Sequence, residues 1–192
     1  MRVTTPWLAL SACTLLVLVV TAFEAIGWPV LAEPIQRWLS ESLERRVSFA
    51  VDGHTLASVR VRLLGRLRIE APQMRIAAPA WSTAPDMLHA RDVVLTIAYA
   101  DLWRAHRGHP LRIHALQAAE LDASFERLQD GRASWLFGRF VRPDAGALFE
   151  LSLFDRLQAD AGTLRYRDEP ARLELAARLQ PQGAGVQLAV QG

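Results

Sequence analysis

His106-x-x-His109, followed by His114, is the first arrangement in the chain whose residue types could do chemistry, because imidazoles at such intervals can share a divalent metal. These histidines straddle Gly108 and Pro110, turn residues that place a ligand set on no rigid element, so solvated loop histidines are the plainer reading. The paired carboxylates Asp168-Glu169, and Asp155 with Asp160, fall at turns or on charged faces, where their usual contribution is solubility. No nucleophile elbow, phosphate loop or Cys/His arrangement is present. Cys13 is the only cysteine and lies inside an apolar run, which excludes an intramolecular disulfide and a thiolate metal cluster. The residues therefore predict no catalytic site, no metal and no cofactor. Trp81, Trp103 and Trp135 could touch membrane or ligand, but anchoring a core or a loop is the commoner role of such rings.

Composition narrows the class further. Of 192 residues, 51% are apolar, enough for a buried core, and the net charge is only +2. All the basic side chains besides histidine are arginines, balanced by carboxylates along the chain, so no basic stripe marks a nucleic-acid partner. The length suits one domain plus an anchor.

The elements that would position these residues begin with an anchor over residues 1–28. Val3 to Phe23 carries no charge, and a helix of that length spans roughly 31 Å, about the thickness of a bilayer's hydrocarbon core. Leu15, Leu16, Val17, Leu18, Val19 and Val20 form its apolar center, with Trp7 and Trp28 near the two interfaces. A cleaved signal peptide ending at Val30-Leu31-Ala32 and a lipobox at Leu10-Ser11-Ala12-Cys13 are rival uses of the same residues. Residues 29–46 then contain an amphipathic helix from Glu33 to Arg46. Pro34 suits its first turn, and Ile35, Trp38, Leu39 and Leu43 share a face that lies on the membrane or plugs the end of a sheet.

From Val47 the period becomes two, and residues 47–192 are predicted to be a β-rich domain. Val59, Val61 and Leu63 alternate with arginines, as do Leu67 and Ile69. Leu111 and Ile113, then Leu121 and Phe125, Leu164 and Tyr166, Leu173 and Leu175, and finally Leu188 between Val186 and Val190 repeat the pattern. Val93 to Tyr99, apolar at nearly every position, is expected to be covered on both sides. Residues 77–85 read as a loop, Ala100 to Arg107 as a short helical turn, and Asp52-Gly53, Gly65, Asp130-Gly131 and Gly183-Ala184-Gly185 as turns. The segments starting at Leu67 and Leu111 echo each other, as two copies of a stacked strand unit would.

Taken in order, these features resemble the N-terminal part of AsmA-family envelope proteins. The likeness rests on Gly27-Trp28-Pro29, Arg46-Val47-Ser48-Phe49, Leu63-Leu64-Gly65-Arg66-Leu67-Arg68-Ile69 and Ala90-Arg91-Asp92-Val93. It continues through Asp101-Leu102-Trp103-Arg104 to the Asp130-Gly131-Arg132-Ala133-Ser134-Trp135 turn, and so covers Met1 to Trp135. The resemblance implies an inner-membrane anchor with the bulk in the periplasm of a Gram-negative bacterium. It also implies a curved antiparallel sheet forming an open trough, similar to that of chorein-type bridge proteins, along which phospholipid acyl chains move toward the outer membrane. On that view the residues 59, 61, 63, 67, 69, 111, 113, 121, 125, 164, 166, 173, 175 and 188 named above face lipid. The family's members are several times longer, so the chain is expected to be the start of a longer groove. An ordinary packed sheet needs the same alternation, and an envelope assembly factor that binds other envelope proteins by edge pairing is the second class the residues allow.

Overall fold

The computed structural model describes residues 5–50, 53, 55–109, 111–136, 155–182 and 185–191. It is mainly β: an open sheet of eight strands, preceded by two helices and interrupted by one short helix. Helix α1 (Thr5–Ile26) carries no charge before Glu24 and leads through a turn of 3-10 helix into α2 (Ala32–Leu43). Among the described residues no single helix is long and apolar enough to cross a membrane; Leu10–Ile26 and Pro29–Leu43 pass that test together, as a pair bent by 69°. The bend sits at Gly27, whose φ of 91° suits glycine and where a Cβ would press on Arg60.

α2 ends at Leu43, before Glu44 turns left-handed (φ 50°), three residues short of the predicted Arg46. Its apolar stripe is the expected one: Leu39 and Leu43 are buried, and Ile35 and Trp38 pack against the same core. Two side chains fasten it to the sheet. The Ser40 hydroxyl accepts the Val47 N–H at 3.0 Å, and Gln36 Oε1 accepts the Phe49 N–H at 2.9 Å. The helix plugs the sheet instead of lying free of it.

The strands are β1 (Val47–Ser48), β2 (Arg60–Arg62), β3 (Leu67–Ala77), β4 (Asp86–Ile97), β5 (Ala115–Arg127), β6 (Leu157–Asp168), β7 (Leu173–Gln182) and β8 (Gly185–Gln191). They run in the order β1-β3-β4-β5-β6-β7-β8, with β2 also on β3. The expected all-antiparallel sheet needs one correction, because β5 and β6 are parallel, from Leu116 beside Leu157 to Arg127 beside Asp168. A parallel pair requires a long connection, and β5 ends at Arg127 whereas β6 begins only at Leu157.

Alternation slips by one position at the same level in three adjacent strands. Buried residues run Ala71 then Met74 on β3, Ala90 then Val93 on β4, and Ala118 then Leu121 on β5. Ala71 pairs with Val93, and Ala90 pairs with both Met74 and Leu121, so the slips line up across the sheet. Pro72 cannot donate to the ladder and Asp92 is left-handed (φ 49°), and on both sides of this point the apolar residues of the two strands belong to one core. β6 meets the line with Gly162 (φ 147°), where a Cβ would lie 1.9 Å from the Leu121 carbonyl oxygen. No larger residue fits at that approach.

Two further expectations are revised. On β4, Val94 and Thr96 are only half-buried between buried Val93, Leu95 and Ile97, so this strand is covered on one side, not both. The segments at Leu67 and Leu111 are not equivalent copies: Leu67 is level with Ile97, and Thr96 next to it pairs with Ala115, which places Leu111 beyond the sheet's regular end. The short helix α3 (Tyr99–His106) lies where helical turns are predicted, and residues 78–85 form the expected loop.

Candidate functional site

Period-two geometry assigns each strand one apolar and one polar face, and the structure separates the apolar face into a closed part and a more open part. Val59, Val61, Leu67, Ile69, Leu111, Ile113, Leu121 and Phe125 all belong to the closed part, none more than 6% exposed. They pack with α2 and Phe49 into one cluster, so a ligand reaching them would have to displace α2 or side chains of the core. Leu63, at the end of β2, is half-buried against the same cluster.

Beyond β5 the cover thins. Leu164 and Tyr166 on β6 and Leu175 on β7 are half-buried, and Leu173 is 41% exposed. Leu164 pairs with Ala177 and Tyr166 with Leu175, so these residues share the face that is filled farther back. The boundary is an aromatic cluster. The Trp135 ring meets Phe125 edge-on at 6.1 Å and Tyr166 at 5.7 Å, bridging β5 and β6 over the apolar face.

The turn that delivers Trp135 is built by its own backbone. Leu128 N–H donates to the Arg132 carbonyl at 2.9 Å, Ser134 N–H donates to the Glu126 carbonyl at 2.9 Å, and the buried Ser134 hydroxyl accepts the Glu126 N–H at 3.0 Å. The Asp130 carboxylate accepts the Arg132 N–H at 3.0 Å, which sets the loop's tip. Tyr166 OH donates to Asp168 at 2.9 Å, and burial first, then that bond to a carboxylate, raises the phenol's pKa above its usual value. Leu188 falls on β8, but its side chain and those of the rest of β8 lie outside the described residues.

The opposite face carries two adjoining clefts of about 390 and 300 Å³ beneath the loop 78–85. Ser124, Arg165 and Ala176 face each other across β5, β6 and β7, as do Glu126, Arg167 and Glu174, so both sets look away from the apolar core. Glu126 is 6% exposed and is the keystone of this face. Its carboxylate accepts the Thr83 N–H at 3.0 Å and the Thr83 hydroxyl. Burial works to raise its pKa, but the bonds from Thr83 and Ser82 and the charge of Arg167 prevail and hold it below the ordinary glutamate value.

The residues expected to form an anchor, Leu15, Leu16, Val17, Leu18, Val19 and Val20, are exposed along α1. Trp7 lies in α1, but its side chain is outside the described residues. Trp28 is tied to the protein: its ring stacks on Phe23 at 4.7 Å, its indole N–H donates to Glu24 at 3.2 Å, and its backbone N–H donates to the Val61 carbonyl at 2.9 Å. Glu24 also accepts the backbone N–H groups of Leu63 at 3.1 Å and Leu64 at 2.9 Å. One carboxylate near the end of α1 thus joins the helix to the turn between β2 and β3. Of the other tryptophans, Trp135 is buried, Trp81 lies under the Arg132 guanidinium, and Trp103 stands out from α3.

Two carboxylates depart from the solvated role expected of them. Asp168 is 4% exposed, holding Tyr166 and the Ala171 N–H at 3.0 Å, and Glu126 stands on a face read as wet. His114 Nδ1 lies 3.6 Å from Asp155, and among the described residues no three metal-binding side chains converge. No family model matches the chain, and it matches no curated protein and no solved structure. The class defined here is therefore an open, mainly β sheet with a helix pair at one end and an apolar face that is plugged beside that pair.

Proposed function

We propose that this chain is a membrane-anchored, non-catalytic protein of the Gram-negative cell envelope, of the AsmA type. Its sheet takes part in moving phospholipid between inner and outer membrane and so in outer-membrane biogenesis. In this reading α1 is a single-pass inner-membrane anchor and the residues after Trp28 occupy the periplasm.

The observation that carries the proposal is the gradient of cover along the strand order. The apolar face is filled by α2 at the anchored end, reaches the Trp135 cluster at β5 and β6, and presents half-buried Leu164, Tyr166 and Leu175 with exposed Leu173 beyond it. A sheet built only to enclose its own core has no reason to leave one end of that face half-covered. Acyl chains are the natural occupants of an apolar strip a few side chains wide, because burying each methylene is worth about 0.8 kcal/mol. Native mass spectrometry of the full chain purified in detergent tests this: phospholipid is expected to stay bound, and a ligand-free spectrum at gentle activation would contradict it.

A second reading has its own support. The closed core across β2 to β5 and the position of β8 at the margin of the sheet suit an envelope assembly factor that pairs its edge with a strand of another protein. That reading predicts a protein partner and no bound lipid.

A further inference from the structure

The end of the sheet next to α1 carries side chains that neither the core nor the apolar strip uses. Leu64, at the tip of the turn from β2 to β3, is 83% exposed, and Trp103 on α3 is 58% exposed. On α3, Leu102 and Ala105 pack against the core, while Tyr99, Trp103 and Arg107 follow one another at helical spacing on the outer side. The Arg107 guanidinium lies 4.8 Å over the Trp103 ring.

Two bonds bring this surface to the exit of α1. Glu24 holds the Leu63 and Leu64 amides, and Tyr99 OH donates to the Leu63 carbonyl. The end of α1, the 63–66 turn and the start of α3 therefore form one unit. Its charge is one-sided as well: Arg66, Arg104 and Arg107 are exposed there, whereas Glu24 is bound to backbone and Asp101 lies 3.4 Å from Arg104.

We propose that this unit is a second membrane contact, in which Leu64, Tyr99 and Trp103 enter the interfacial layer of the bilayer that holds α1 while Arg66, Arg104 and Arg107 meet its anionic headgroups. Tyrosine and tryptophan favour that layer, and arginines beside a bilayer gain from anionic lipid. The contact gives the sheet a second point of attachment to the membrane besides α1 and so sets its tilt. The proposal rests on reading α1 as the anchor, and its test separates the two.

Full-length protein with Cys13→Ala is reconstituted into phosphatidylglycerol-containing vesicles, with an environment-sensitive fluorophore placed in turn at L64C, A100C, L16C and A171C. Lipids bearing a nitroxide near the headgroup should quench positions 64 and 100 strongly, and less so in purely zwitterionic vesicles. Position 171, at the opposite end of the sheet, should stay unquenched, and Trp103→Ala should weaken quenching at 100. Labels at 64 and 100 that behave like the label at 171 overturn the proposal, whatever position 16 shows. Position 16 judges the anchor by itself, through quenching by nitroxides deep in the acyl chains.

Discussion

Glu126 shows how much one side chain can hold. By alternation it belongs to the polar face, yet it is buried beneath a loop 43 residues earlier in sequence, whose Thr83 satisfies its carboxylate. Because its folded pKa lies below the unfolded value, its contribution is complete above about pH 4.3 and is lost as pH falls through the folded value. Glu126→Gln should therefore cost about 1.5–3 kcal/mol at neutral pH, the range for a hydrogen bond to a charged group. It should also flatten the acid limb of stability measured by denaturant between neutral pH and pH 3; an unchanged limb would assign the acid sensitivity elsewhere. The alternation gives the face on which Glu126 stands, but the cover over that face comes from a distant loop that no local pattern reveals. Asp168 escaped for a different reason, since its partners are close in sequence: Tyr166, read only as apolar, and the Ala171 N–H of the following turn.

Elements were more legible than single partners. The Ile35-Trp38-Leu39-Leu43 stripe and the runs on β3, β5, β6 and β7 are periodic, and periodicity survives folding because each apolar side chain needs the same core. The slip at Pro72, Asp92 and Gly162 was harder to see, as a strand reader expects one phase throughout. The parallel pairing of β5 and β6 had a signal in the roughly thirty residues between them, too many for a hairpin. The tie between α1 and the sheet, with Glu24 at its center, was not legible because it joins positions about forty residues apart. Glu24→Ala should release it: amide hydrogen exchange at Leu63 and Leu64 should accelerate, by up to about two orders of magnitude if the bonds are worth 1–3 kcal/mol locally. Exchange rates equal to those of the unaltered chain would mean that the 63–66 turn is held by other contacts.

At the scale of the whole molecule, α2 closes one end of an apolar face, and β6 and β7 leave it more open. The expected lipid-facing set thus divides in two, which sequence alone could not do because a packed core and a groove require the same alternation. Val61, Ile69 and Ile113 lie behind α2 and core side chains, so accessible contact falls to Leu164, Tyr166 and Leu175. The most direct measurement is photocrosslinking in cells from a reactive residue placed at Tyr166 or Leu175, compared with Arg167 and Glu174, their neighbours on the other face. Phospholipid adducts are expected at 166 and 175, few at 167 and 174, and none at Ile113, which is 2% exposed. Protein adducts without lipid at 166 and 175, or lipid captured equally from both faces, would contradict the conduit.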